Sequence, residues 1–180
     1  MLVMFLMNIK EKYLLEEKPF AYDGAYGGNA SVINKKEYES KMGLHKVFTQ
    51  FVVSQDNNEG KKPYIEYQLG GDYQHLRGAI VCSVEMEDNK LFHMEIYGDD
   101  KLLYTTETIT SESDMVSFTI DIPDVDLLKL VCIREDHNLP LCEEQPNMAI
   151  VELVAYNDEI EFEYYADIYE EELNKGTVED

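Results

Sequence analysis

The sequence has no tryptophan, three cysteines, and only 15 lysines and arginines against 37 aspartates and glutamates. Each shortage excludes something. The deficit of positive charge leaves a formal net charge of -22. A field of that sign repels phosphate, so neither nucleic acid nor an anionic membrane is an expected partner. Cys82, Cys132 and Cys142 are an odd number and do not suit the disulfide framework of a small secreted protein. A reducing, cytoplasmic setting fits them better. Long hydrophobic runs are also lacking. The opening MLVMFLM is too short to span a membrane, has no basic residue ahead of it, and is followed by charge where an export signal needs small residues. It reads as an over-extended start, with Met4 or Met7 as alternatives, or as a packed N-terminal strand; no export signal and no membrane anchor are expected. Without tryptophan, any flat aromatic contact surface has to come from the thirteen tyrosines and seven phenylalanines.

What is present is enough for a core. The 180 residues fit one domain with short extensions, and 44% of them are apolar, so the acidity belongs to the surface and does not signal disorder. Residues 1–20 are taken as an N-terminal extension or first strand, 21–156 as the folded domain, and 157–180 as an acidic C-terminal segment. From Ala21 to Ser31, AYDGAYGGNAS is rich in Gly and Tyr and predicts an exposed loop. FTQFVV (Phe48 to Val53) favours a strand, and QDNNEGKKP separates it from the next. YIEYQL, HLRGAIVCSVEM, LFHMEIYG, KLLYTTETI, MVSFTIDI, LLKLVCI and MAIVELVAY then follow at short spacing, with no convincing amphipathic helix among them. The fold class is therefore all-β, an antiparallel β-sandwich. YGDDKLLY (Tyr97 to Tyr104) is its clearest hairpin. Beyond Asn157, Ile160, Phe162 and Tyr164 alternate with acidic residues as in a last strand, and ADIYEEELNKG predicts a short helix closed by Gly176. The charge there is a solvated tail or a docking peptide.

Several of these pieces share an order and spacing with one known family. Tyr67, Leu69, Gly71, Tyr73, Leu76 and Gly78 come first, then Gly98, Asp99, Leu103 and Tyr104, then Ile120, Asp121 and Ile122, then Leu128 and Leu130. This series, running from Tyr64 to Tyr156, resembles the NPCBM family of carbohydrate-binding modules, within the galactose-binding-like jelly rolls; MGLHK (Met42 to Lys46) loosely resembles a further segment of it. The resemblance implies a jelly roll and a sugar site in the loops at one end of the sandwich. In YIEYQLGGDYQHLRG it makes Leu69, Tyr73 and Leu76 core or corner residues and Gly70-Gly71-Asp72 a tight turn, so that the stretch is chiefly scaffold. The family's Trp-containing stretch before the last strand is replaced here by EEQPNMAIVEL.

Tyr22, Tyr26, Asn29 and His45 are the candidate ligand-binding residues, because tyrosines among glycines supply amphipathic contact area cheaply; the competing reading of their segment is a solvent loop pinned by one buried Tyr. His45, His75 and His93 are read as packed or surface histidines. Cys132, His137 and Cys142 lack the paired spacings of structural zinc. Asp121, Asp124 and Asp126 in DIPDVD suggest a turn between strands, or at most structural calcium, and no cofactor is expected. No pair among 37 acidic residues stands out as a glycosidase dyad, so no catalytic residue is assigned and no enzyme is expected. The expected partner is a carbohydrate or glycosylated partner held by end loops. The alternative is an intracellular protein-interaction or assembly module that keeps the fold without binding sugar.

Overall fold

The computed structural model of the protein describes residues 11–29, 32–33, 36–37, 47–53, 62–82, 91–135 and 145–157. His45, the 137–144 segment with its His and Cys, and the C-terminal segment beyond Asn157 lie outside the described residues.

Among the described residues, thirteen strands account for nearly all of the regular structure: β1 (Glu11–Tyr13), β2 (Ala21–Asp23), β3 (Ala25–Asn29), β4 (Val32–Ile33), β5 (Lys36–Glu37), β6 (Val47–Val53), β7 (Tyr64–Gln68), β8 (His75–Cys82), β9 (Phe92–Gly98), β10 (Lys101–Thr105), β11 (Val116–Asp121), β12 (Leu127–Arg134) and β13 (Gln145–Tyr156). One 3-10 turn, Leu14–Glu16, follows β1. The larger sheet runs β11-β8-β13-β6-β3, with β1 also paired to β13. The second runs β10-β9-β12-β7-β2, and β4 and β5 form a small hairpin. Every pairing is antiparallel.

Period-two alternation explains how the two sheets close on each other. Along β9 the residues switch from buried to half-buried at each step, putting Phe92, Met94 and Ile96 inside and His93, Glu95 and Tyr97 outside. The core also takes in Phe51, Leu76, Ile80, Leu128, Leu130 and Ile150, all essentially inaccessible. The larger sheet is closed on its outer side too: Ala79, Val81, Val151 and Val154 are buried although they stand apart from the core cluster. The second sheet differs, because its outer face leaves Tyr64, Glu66, Glu95, Tyr97 and Lys129 part-exposed.

The turns follow the residues that tolerate a left-handed backbone. Gly70 and Gly71 both have φ 70 and join β7 to the segment leading into β8, while Leu69, Tyr73 and Leu76 are buried around them. Asp99 and Asp100, at φ 49 and 64, make the β9–β10 hairpin, and Asp124 at φ 60 turns DIPDVD between β11 and β12.

One expectation is corrected. The segment from Ala21 to Asn29 is not a loop but two edge strands, hinged at Gly24 (φ 61). β2 pairs with β7 in one sheet and β3 with β6 in the other, so the chain crosses between sheets within a single residue. Composition pointed the other way because strand propensity yields to context: partners waiting at two sheet edges supply the backbone hydrogen bonds that the sequence does not advertise.

Candidate functional site

On edge strand β2, Tyr22 is 60% exposed, and Phe20, two residues earlier, is 63% exposed. The Phe20 N–H donates to the Glu66 carbonyl at 2.8 Å, which extends the β2–β7 pairing back to Phe20 and fixes the ring's backbone. Tyr22 is opposite Ile65, a core residue, so its side chain stands on the inward side of the sheet, where the edge runs past the core. Phe20 lies at the bend that leads into β2, one residue before the strand begins. Tyr26 and Asn29 follow on β3, opposite Gln50 and Val47; their side chains, like the whole of His45, lie outside the described residues. Phe20 is absent from the sequence-derived set. The signal for it is present in PFAYDG, where Phe20 and Tyr22 alternate with small residues, but the glycine-rich composition that follows from Ala21 points to a loop and hides it.

The outer face of the second sheet brings together strand residues to which the sequence assigned no binding role. Register places Lys129 of β12 between Tyr97 of β9 and Glu66 of β7, and in the next outward row Val131 lies between Glu95 and Tyr64. Together with Lys62 and Asp100, five of these residues line a trough of about 300 Å³: Tyr64, Glu95, Tyr97, Lys129 and Val131. Its side chains are fixed by one another. The Lys129 ammonium lies 2.8 Å from Glu66 Oε1 and 4.2 Å from the centre of the Tyr64 ring. The Tyr97 hydroxyl donates to Glu95 Oε2 at 2.6 Å. That bond holds the phenol above its ordinary pKa, with burial and the charge of Glu95 acting in the same direction. Behind Glu95, His93 Nε2 is 3.7 Å from its carboxylate, while His93 Nδ1 meets Glu135 Oε1 at 2.7 Å. Glu135 in turn accepts the Thr108 hydroxyl at 2.9 Å.

The other chemistry-bearing residues are engaged structurally. His75 Nδ1 pairs with Asp121 Oδ1 at 2.9 Å, across the β8–β11 register. Cys82 and Cys132 are buried free thiols on inward positions of opposite sheets. Among the described residues, no group of three or more His, Cys, Asp or Glu side chains is placed to hold a metal ion. No described helix is long and apolar enough to cross a membrane.

Two antiparallel sheets, packed face to face and turned by short glycine and aspartate corners, define a jelly-roll module. The chain belongs to the NPCBM/NEW2 domain family, which matches residues 19–139. Solved structures share the architecture at low identity. The carbohydrate-binding module CBM51 from Clostridium perfringens GH95, in complex with methyl-galactose, is 14% identical with a TM-score of 0.56, over 81% of this chain and 99% of that one. CBM51-2 of Clostridium perfringens ZmpB, solved with GlcNAc and INT domains, is 14% identical with a TM-score of 0.60, over 95% of this chain and 36% of that one. A larger ZmpB structure, holding the M60 catalytic domain with CBM51-1 and CBM51-2, is 12% identical with a TM-score of 0.55, over 82% of this chain. Of that longer protein this chain spans only 15%. No curated protein matches the chain in sequence.

Proposed function

We propose that the domain binds carbohydrate without transforming it, and that the sugar is held at the β2–β3 corner. The observation that carries this reading is the pair of rings at Phe20 and Tyr22, 63% and 60% exposed at the start of an edge strand. An apolar ring left in water costs free energy, and the C–H face of a pyranose is the kind of surface that recovers it while leaving the hydroxyls solvated. Tyr26 and Asn29 on the following strand, with His45, are the candidates for fixing those hydroxyls. Membership of the family and the sugar-bound structures of similar fold support the ligand class. Catalysis is not part of the reading, which rests on exposed aromatic surface at the corner.

The test is a glycan array followed by titration of the hits, starting with methyl-galactose and GlcNAc. Replacing Phe20 and Tyr22 together by Ala is expected to weaken a hit by about 10-fold or more, as two stacking contacts are lost, with the melting temperature unchanged because neither ring is in the core. A hit that binds the double variant as tightly as the parent refutes the corner as the site. Silence across the array refutes the carbohydrate reading and favours a protein partner.

A further inference from the structure

We propose that the outer face of the second sheet is a separate saccharide site, formed by the trough between Tyr64, Lys129, Glu95 and Tyr97, so that the domain holds a glycan chain at two places. The ligand class rests on the carbohydrate reading above; the location does not.

The trough and the corner are on opposite sides of the same sheet. Tyr22 is opposite Ile65, whose side chain is in the core, whereas Tyr64 and Glu66, its neighbours along β7, alternate to the outside. One sugar ring cannot touch both. The trough therefore needs its own occupant.

Its composition fits a polyhydroxylated ring. About 300 Å³ lies at the small end of ligand sites, room for one or two sugar residues. Tyr64 and Tyr97 offer apolar ring surface, and Val131 lies on the floor between β7 and β9. Glu95 offers carboxylate oxygens that accept from hydroxyls, and Lys129 and Lys62 offer ammonium groups that donate to them. Donors and acceptors of both signs in one small trough suit a ligand whose every hydroxyl does both, and they do so in a chain of net charge -22 that has few cations to spare.

The trough is also pre-arranged. A lysine on a solvated strand ordinarily samples many rotamers, yet Lys129 is held from two sides, by Glu66 and by the Tyr64 ring. Tyr97 is held by Glu95, Glu95 faces His93, His93 is held by Glu135, and Glu135 by Thr108. Only Glu95, Tyr97, Lys129 and Tyr64 in these two chains of contacts line the trough; Glu66, His93, Glu135 and Thr108 are supports set outside it. Support of this kind lowers the ordering cost that a ligand would otherwise meet. Lys62 is exposed and brings a second ammonium to the rim of the trough. Two weak sites on one domain raise the avidity for a polymer without any new contact at either.

The experiment is amide chemical-shift mapping of the full chain during titration with methyl-galactose, GlcNAc and cellobiose, each in turn. Movement of the Tyr64–Glu66, Glu95–Tyr97 and Lys129–Val131 signals by at least one sugar is expected, persisting when Phe20 and Tyr22 are both Ala. Lys62→Ala, outside every strand and safe for folding, is expected to weaken that sugar about 5-fold by removing one hydrogen bond to a charged donor. Tyr97→Ala is expected to abolish the movement. Movement confined to the β2–β3 corner overturns the trough and keeps the corner; movement confined to the trough does the reverse. Trough movement that disappears in the Phe20/Tyr22 double variant, or that Lys62→Ala and Tyr97→Ala both leave unaltered, also overturns the proposal, as does no movement with any of the three sugars.

Discussion

Cys132 is 1% exposed in the middle of β12, and burial alone pushes its thiol far above the ordinary value. The thiolate is the reactive form, so at pH 8 the native sulfur stays protonated and a poor nucleophile. Treating the native protein with iodoacetamide at pH 8 and mapping the adducts by mass spectrometry is expected to leave Cys132 unmodified, with labelling only after a denaturant is added; a native adduct at Cys132 would show that β12 opens locally. The same scale separates two kinds of tyrosine. Tyr67 and Tyr73 are 3% and 6% exposed and belong to the core, while Tyr22, Tyr64 and Tyr97 turn a ring face outward. Tyr64, Tyr67, Tyr73 and Tyr97 were visible as strand or turn tyrosines, and Tyr22 as a loop one. Their sides were not, because a tyrosine has both an apolar body and a polar tip and is at home on either face. The reading of YIEYQLGGDYQHLRG as chiefly scaffold agrees with the burial of Tyr67, Leu69, Tyr73 and Leu76, while Tyr64 and Glu66 stand on the outer face, lining or bracing the trough.

Between elements, the β9–β10 turn braces the β11–β12 connection. The Asp99 carboxylate accepts from the Leu127 N–H at 2.8 Å and from the Asp126 N–H at 3.2 Å, and the Asp99 N–H donates to the Leu127 carbonyl at 2.9 Å. Hydrogen bonds to an ionised acceptor are among the stronger ones, so Asp99→Ala is expected to lower the unfolding free energy by about 1–3 kcal/mol. Denaturation in urea measures it; Asp99→Asn, which keeps one acceptor oxygen, is expected to lose less. No loss in either variant would show that the Asp99 brace does not stabilise the fold. The turn itself was legible, since Gly-Asp-Asp between alternating apolar residues is a local signature. Its partner was not, because the connection it braces is remote in sequence. The corner at Gly24 shows the same limit. Short edge strands with glycines carry little intrinsic signal, and pairing to β7 and β6 decides their conformation.

For the molecule as a whole, a net charge of -22 is a standing repulsion that folding concentrates into a smaller volume. Screening relieves it. The melting temperature is therefore expected to rise as sodium chloride is increased from about 10 mM to about 150 mM, where the Debye length falls to roughly 8 Å; scanning calorimetry checks this, and a constant or falling value would mean that local ion pairs such as Lys129–Glu66 and Arg77–Glu152 outweigh the overall field. The acidity, the strand alternation and the Gly and Asp turns are properties of neighbouring residues or of composition, and the sequence by itself determined them, together with the all-β class and the jelly-roll family. Which residues share a surface is another matter. Tyr64, Tyr97 and Lys129 meet only through the register of β7, β12 and β9, and Tyr22 reaches solvent only because β2 is an edge strand running past the core. Alternation along one strand tells inside from outside; a neighbour on the next strand is fixed by long-range pairing, and that the tertiary structure alone decided.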